Sequence, residues 1–148
     1  MKKYIALFVF FSIFSCSKDN VDYDKENEKD ILEYIEANDL DATKSESGLY
    51  YVIQKQGEGL RPNSNSNVTV SYKGYYSDGE VFDQSSTNGF SFNLRQVIAG
   101  WTEGITYFKE GGEGILLIPS RLGYGYEDYS SIPGGSVLIF DIKLISVD

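Results

Sequence analysis

The amino-acid sequence predicts an α+β domain in which an antiparallel sheet of five to six strands curves around one short α-helix. From residue 49 onward, short segments alternate apolar and polar residues, which is the period of a half-buried strand, and glycine-rich turns separate them. Between two of these segments, Trp101 follows Gly100 and precedes Ile105 by four residues, which is helical spacing. Several strands with one short helix among them favour a sheet that buries the helix in its concave face.

The strands are predicted from their alternation and from the turns between them. Residues 68–73 alternate strictly, and Ser77-Asp78-Gly79-Glu80 is a hairpin-turn signal that leads into the next strand. The last strand is the longest and carries four apolar residues on one face. In chain order, the predicted strands cover residues 49–55, 68–73, 81–83, 90–94, 114–118 and 137–147.

Trp101, the only tryptophan in the chain, has two interpretations. In the first interpretation its side chain only fills the core, because a bulky aromatic residue in the first turn of a short helix usually does so. In the second it forms the floor of a shallow apolar pocket, and Val97 and Ile98 form part of the pocket wall. The residues immediately around Trp101 leave both interpretations open.

The N-terminus has the features of a bacterial lipoprotein signal peptide, which is assigned to residues 1–15. Lys2 and Lys3 precede an apolar run that is too short to span a bilayer as a helix. The run ends in Ile13-Phe14-Ser15-Cys16, which resembles a lipobox. This resemblance predicts that Cys16 is lipidated and becomes the first residue of the mature protein, anchored by two or three acyl chains. The alternatives are a secreted protein with a free thiol and an uncleaved signal anchor.

The predicted location is the envelope of a Gram-negative bacterium. Ser17, rather than an aspartate, follows the cysteine, which by resemblance to lipoprotein sorting favours the outer membrane. The domain is expected to face the periplasm. Exposure at the cell surface is the alternative, because Lys18-Asp19 resembles a surface-export signal.

Residues 16–46 are predicted to be an acidic tether that contains one short helix. Residues 17–30 hold six acidic side chains and almost nothing apolar, which is typical of a flexible, solvated segment. A helix from about Asn27 to Ala37 fits the apolar residues that follow, with Asn38 as its C-terminal stop. Its apolar stripe is narrow, so it either docks on the domain or forms a weak partner face. Residues 39–47 are a polar connector.

Composition excludes several classes of function. The chain of 148 residues has no histidine and one cysteine, so it lacks a Ser-His-Asp or Cys-His arrangement, a histidine zinc site and an internal disulfide. No glycine-rich segment fits a nucleotide-binding pattern. A net charge of −9 would repel nucleic acid at long range, so no nucleic-acid partner is expected. No metal or cofactor is expected either.

A set of short motifs in the second half of the chain resembles the FKBP family of peptidyl-prolyl cis-trans isomerases. They occur in the family's order from about residue 47 to residue 147, so residues 47–148 are assigned to an FKBP-type isomerase domain. The motifs are Val68-x-Val70-x-Tyr72-x-Gly74, Asp78-Gly79-x-x-Phe82-Asp83-x-Ser85, Phe90-x-Phe92-x-Leu94, Val97-Ile98-x-Gly100-Trp101-x-x-Gly104, Ile118-Pro119, Tyr124-Gly125, Ile132-Pro133 and Leu138-Ile139-Phe140-Asp141.

The resemblance implies a twisted sheet wrapped around the helix, with an apolar proline-binding pocket between them. Trp101 would be the pocket floor, Tyr124 would donate a hydrogen bond to a substrate carbonyl, and Asp83 would be the polar group at the edge. Asp83 and Tyr124 are the candidate catalytic residues. The candidate substrate-binding residues are Tyr72, Phe82, Phe92, Val97, Ile98, Trp101, Ile132 and Phe140.

The chain departs from the family pattern mainly at the expected rim of the pocket. The segment from Gln84 to Gly89 is shorter than in many members and has no arginine to pair with Asp83. Gly134 and Ser131 stand where a second proline and an aliphatic residue are common. Phe108 stands where methionine is frequent. These differences bear on substrate preference and catalytic efficiency.

The predicted function is isomerisation of X-Pro bonds in envelope or exported proteins by a monomeric, membrane-anchored enzyme. Rotation about the imide bond breaks no σ bond, so the missing histidine, metal and nucleophile are not needed. The resemblance also implies macrolide inhibitors as ligands. The alternatives are a chaperone or scaffold with little or no catalysis and a structural lipoprotein of an envelope assembly.

Overall fold

The structure, a computed structural model, describes residues 21–148. The predicted signal peptide (residues 1–15) and the predicted lipidation site, Cys16, lie outside the described residues. Within the described part of the chain, no helix combines the length and the apolar character that crossing a membrane requires.

The first helix, α1 (Tyr23–Ala37), begins earlier than the sequence predicts. Asp22 caps it by accepting a hydrogen bond from the Lys25 amide at 3.4 Å, and acidic residues in the first turn favour the positive end of the helix dipole. Residues 23–26 therefore belong to the helix and not to the flexible tether. Asn38 ends the helix as predicted, because its side-chain amide donates to the Tyr34 carbonyl.

Within residues 21–148, seven strands form one antiparallel sheet, more than the five to six predicted, and the predicted fold class is confirmed. Their order across the sheet is β1-β2-β6-β7-β3-β4, and β5 pairs with β3 on the same side as β4. The two-residue strand β1 lies in the segment predicted to be a polar connector. The strands are β1 (Thr43–Lys44), β2 (Tyr50–Lys55), β3 (Asn67–Tyr75), β4 (Val81–Gln84), β5 (Phe90–Asn93), β6 (Glu113–Ile118) and β7 (Leu138–Val147).

The second helix, α2 (Ala99–Gly104), is the predicted short helix and crosses the concave face of the sheet. A methyl group on Gly100 would come within 2.6 Å of the Ile118 side chain, and one on Gly104 within 2.8 Å of Leu116. The two glycines therefore allow α2 to lie directly against β6. Short 3-10 helices occupy Leu94–Gln96, Ile105–Tyr107 and Ser120–Leu122.

Apolar side chains form one cluster on each face of the sheet. The cluster on the concave face includes Trp101, Ile105 and Phe108, together with alternate residues of β6 and β7. The cluster on the other face lies under α1 and includes Ile31, which is 1% exposed. The apolar stripe of α1 therefore docks on the domain. Because both faces of β6 are covered, its sequence is a continuous apolar run instead of an alternating one.

Candidate active site

A cavity of about 730 Å³ opens between α2, the concave face of the sheet and the loop that joins β6 to β7. We call this connection, residues 119–137, the rim loop. All ten residues that the sequence marked as candidate catalytic or substrate-binding residues line the cavity. They are Tyr72, Phe82, Asp83, Phe92, Val97, Ile98, Trp101, Tyr124, Ile132 and Phe140.

Trp101 lines the cavity and is only 6% exposed. The edges of neighbouring rings meet it at near right angles, with ring centroids 4.8 Å away for Tyr72 and 5.1 Å away for Phe140. Phe92 completes the aromatic surround at 5.3 Å. Edge-to-face contacts of this kind fix the orientation of each ring. Trp101 therefore packs in the core and also lines the cavity.

Gly74 on β3 has no side chain, and this allows two aromatic rings to pack against each other in the cavity wall opposite α2. A side chain at Gly74 would come within 2.8 Å of the Phe82 ring and 2.7 Å of the Phe140 ring. These two rings pack edge to face at 5.5 Å over the glycine. Register explains the arrangement, because Gly74 pairs with Asp83 on β4 and with Phe140 on β7.

The polar groups of the site lie at the cavity mouth. The Tyr72 hydroxyl donates a hydrogen bond of 2.8 Å to Oδ2 of Asp83, which is exposed and is the only charged residue that the described part of the chain contributes to the lining. Burial, together with the neighbouring Asp83 carboxylate, raises the pKa of Tyr72 and of Tyr124 above that of free tyrosine. Both phenols therefore stay protonated at neutral pH and act as donors.

Tyr124 projects from the rim loop, lines the cavity and is 39% exposed. Its ring stacks on Tyr129 at 4.8 Å with an angle of 12° between the planes. Its hydroxyl lies near Asp83 without a hydrogen bond to it. The hydroxyl is thus held in place by ring stacking while its donor stays available to a ligand.

Sequence reasoning missed several residues that also line the cavity. Phe90 was detectable, because it lies two residues from Phe92 on one strand face and the rings stack at 6.1 Å. The others belong to irregular segments in which no periodicity points to them. These residues are Gln96, Gly123, Tyr129, Ser130 and Ser131.

The departures from the family pattern fall in different places. Ser131 lines the cavity, whereas Phe108 is fully buried in the concave cluster away from the mouth. At Gly134 a side chain would overlap the Tyr126 carbonyl, and the Gly134 amide donates to Asp128 at 2.8 Å, a bond that proline could not make. No cation forms an ion pair with Asp83 within residues 21–148.

The fold and this cavity agree with a family assignment that rests on comparison with known proteins. The family model of the FKBP-type peptidyl-prolyl cis-trans isomerases matches residues 59–145, which is more than half of the chain. The chain therefore belongs to the FKBP-type peptidyl-prolyl cis-trans isomerase family.

Several bacterial relatives resemble the chain over most of its length. A probable FKBP-type isomerase, FkpA, of Neisseria meningitidis serogroup B is 48% identical over 104 residues, which are 68% of this chain and 38% of the relative. FkpA of Escherichia coli K12 is 41% identical over 126 residues, 82% of this chain and 47% of the relative. The chain thus spans less than half of the length of the curated relatives that it matches.

A solved structure gives a more complete match. The crystal structure of a peptidyl-prolyl cis-trans isomerase from Pseudomonas syringae pv. tomato superposes with a TM-score of 0.72 at 31% identity. The superposition covers 84% of this chain and 95% of that one.

Proposed function

We propose that this chain is a peptidyl-prolyl cis-trans isomerase that acts on X-Pro bonds. The observation that carries the proposal is the composition of the cavity lining: aromatic and aliphatic walls around Trp101, with the Asp83 carboxylate and the Tyr124 phenol among its polar groups. A prolyl ring is an apolar, compact group that suits such a cavity. Membership of the FKBP-type family supports the same function.

The chemistry required is stabilisation of a twisted imide. The barrier to rotation is about 18–20 kcal/mol and arises mainly from lost amide resonance. A twisted imide separates less charge than a planar one, so an apolar cavity favours it relative to water. The walls hold the prolyl ring while the preceding carbonyl rotates, and no bond is formed or broken.

The groups at the mouth serve the rotating carbonyl. Tyr124 donates a hydrogen bond to a substrate carbonyl, because its hydroxyl is protonated and makes no bond to the described residues. The Tyr72 hydroxyl orients the Asp83 carboxylate through a hydrogen bond, and the carboxylate places a negative charge beside the bound substrate. These two residues are the proposed catalytic residues, and the aromatic and aliphatic walls bind the substrate.

The deciding experiment is an NMR exchange assay on an X-Pro peptide with the full chain in detergent. The wild type should accelerate exchange, Phe82→Ala should lose most of the acceleration, and the matched control Val81→Ala should keep it. Val81 is 43% exposed on the same strand and lies outside the cavity lining. Acceleration should fall when a macrolide competes for the cavity. A wild type that suppresses aggregation of an unfolded client without accelerating exchange would favour the chaperone or scaffold function instead.

We further propose that the isomerase is anchored by acyl chains on Cys16 in the outer membrane, faces the periplasm and acts on envelope or exported proteins. The support is the lipobox-like sequence before the only cysteine in the chain. Labelled palmitate should be incorporated by the wild type and not by Cys16→Ala. The Ser17→Asp variant should keep the label and move to the inner membrane fraction. Equal labelling of wild type and Cys16→Ala would contradict the anchor.

A further inference from the structure

One polar side chain of α1 is buried beneath the rim loop. Asn27 is 2% exposed, and the only other buried polar residue in the described part of the chain is Ser120, at the start of that loop. Burying an amide is unfavourable unless its donor and its acceptor are both satisfied. Both are satisfied by the rim loop: Nδ2 donates to the Gly135 carbonyl at 2.8 Å, and Oδ1 accepts from the Ser120 amide at 2.7 Å.

These two bonds close a ring at the base of the rim loop. The Gly135 amide donates to the Gly125 carbonyl at 3.0 Å, and the Gly125 amide donates to the Ser120 carbonyl at 2.8 Å. With the two bonds of Asn27, four hydrogen bonds therefore join the start, the middle and the end of the loop. Gly125 directly follows Tyr124, so this base ring sets the backbone position from which Tyr124 projects.

Two neighbours of Asn27 hold the same loop from the side. The ring of Tyr23 stacks on Tyr126 at 5.5 Å and lies so close to Gly135 that a side chain there would overlap it. Asp24 accepts a hydrogen bond of 2.8 Å from the Tyr126 hydroxyl and pairs with Arg121 at 3.5 Å. The first two turns of α1 thus contact the loop at several points.

We propose that Asn27 is a positioning residue for the active site: through the base ring it holds the rim loop, and with it Tyr124 and Ile132, against the cavity. The inference rests on the proposed function, because positioning matters for catalysis only if the cavity isomerises proline. It gives α1 a role beyond that of a spacer between the membrane and the domain.

The first arm of the test measures the loop itself and needs no enzymatic activity. Hydrogen exchange of the amides of residues 123–135 is compared between wild type, Asn27→Ala and Tyr50→Phe, each as the full chain in detergent. Tyr50→Phe is the matched control, because it removes the 2.6 Å hydrogen bond between the sheet and Glu28 of α1 and leaves the rim loop untouched. Exchange should be about tenfold faster in Asn27→Ala and unchanged in Tyr50→Phe.

The second arm measures catalysis at a temperature well below unfolding. kcat/KM should fall on the order of 3- to 10-fold in Asn27→Ala, because misplaced substrate contacts slow the reaction, and less than twofold in Tyr50→Phe. Tyr126→Phe removes only the exposed bond to Asp24 and should show a smaller loss in the same direction. This variant carries the test if Asn27→Ala does not fold.

The outcomes separate this inference from the proposed function. A wild type without isomerase activity defeats the proposed function, while the exchange arm still reports whether Asn27 holds the loop. Equal loop exchange in wild type and Asn27→Ala overturns the inference. Faster exchange with unchanged kcat/KM overturns it as well, since the loop would then be held for stability alone. Equal losses of kcat/KM in Asn27→Ala and Tyr50→Phe would assign the effect to general loosening of α1.

Discussion

At the scale of the residue, Tyr124 combines a fixed ring with a free donor. Stacking on Tyr129 holds the ring, and the hydroxyl has no partner among the described residues. Because the donor is already oriented and bonds to none of the described residues, a substrate carbonyl has to replace only solvent at the hydroxyl, and the net gain is that of one ordinary hydrogen bond.

The Tyr124→Phe variant should therefore lower kcat/KM with little effect on stability. Loss of one hydrogen bond of about 0.5–1.5 kcal/mol corresponds to a decrease of roughly 2- to 12-fold. The control is Tyr107→Phe, which loses a hydroxyl that donates to Glu103, outside the cavity lining. Steady-state assays on one X-Pro peptide should show the decrease in the first variant alone, and equal rates in both variants would place the donor elsewhere.

Asp83, unlike Tyr124, carries a charge. No cationic side chain within residues 21–148 pairs with it. Among the described residues, its carboxylate is the only charged group that lines the cavity, and the segment that follows it, residues 84–89, is uncharged. A free carboxylate at the mouth attracts a basic side chain beside the X-Pro bond and repels an acidic one.

A peptide with lysine next to the X-Pro bond should be isomerised more efficiently than the same peptide with glutamate. An exposed pair contributes about 0.5–1 kcal/mol, so we expect a ratio of roughly 2- to 5-fold at low salt. Salt should reduce the ratio, because it screens exposed charges. Asp83→Asn should bring the ratio close to one. An unchanged ratio in that variant would mean that another group sets the preference.

At the scale of the element, α2 is fixed at its C-terminal end by Glu103. This carboxylate accepts hydrogen bonds from the Ser47 hydroxyl at 2.6 Å and from the Tyr107 hydroxyl at 2.8 Å. Burial opposes its ionisation, but these bonds, together with Ser45 and the charge of Arg121, outweigh burial and lower the pKa of Glu103 below its ordinary value. Tyr107 responds in the opposite sense, because burial and the bond to Glu103 raise its pKa to about 12.

The stabilisation that Glu103 provides should decrease as the pH falls. A folded-state pKa below the unfolded one gives stability that is present above the unfolded value, about 4.3, and lost as pH falls through the folded value. Glu103→Gln should cost about 1 kcal/mol at pH 7, allowing for solvent screening, and the cost should shrink in acid. Denaturant unfolding of the wild type and of Glu103→Gln, at pH 7 and in acid, measures how the cost of the substitution changes with pH. Glu113→Gln, on an exposed pair with Lys143, is the control and should cost less.

The elements also show what the sequence could predict. Strict alternation located β3, β5 and β7, and the spacing of Trp101 and Ile105 located α2, because local periodicity determines which faces are buried. The predicted start of α1 was wrong. Its true first turns are held by contacts of Tyr23, Asp24 and Asn27 with the rim loop, and these contacts join positions about a hundred residues apart. Acidic composition alone made that first turn look solvated. No local pattern reports such distant contacts.

The same distinction applies to the candidate site. The ten residues named through the order of the motifs all line the cavity, and eight of them lie on a strand or on or just before α2. Ser130 adopts a positive φ of 54°, and with Tyr129 it lies in an irregular part of the rim loop whose path depends on backbone bonds between Ser120, Gly125 and Gly135. The position of such a loop depends on tertiary contacts and cannot be derived from residue type.

At the scale of the whole molecule, the distribution of titratable groups determines how the protein responds to pH. The chain contains no histidine, which is the one side chain whose ordinary pKa lies between pH 5 and 8. Burial and the Asp83 carboxylate raise the pKa of Tyr72 and Tyr124, so these two phenols stay protonated in mild alkali. Isomerisation itself transfers no proton.

The pH profile of kcat/KM should therefore be flat from about pH 5.5 to 8.5, a range in which unperturbed carboxyl, phenol and amino side chains do not titrate. Loss of activity is expected only in acid, where the stabilisation by the Glu103 carboxylate is lost and the fold weakens. Assays of the full chain at constant ionic strength, with unfolding followed in the same buffers, measure both effects. A bell-shaped profile centred near neutrality would require a group that ionises there, and would contradict an isomerase that works by shape and fixed dipoles alone.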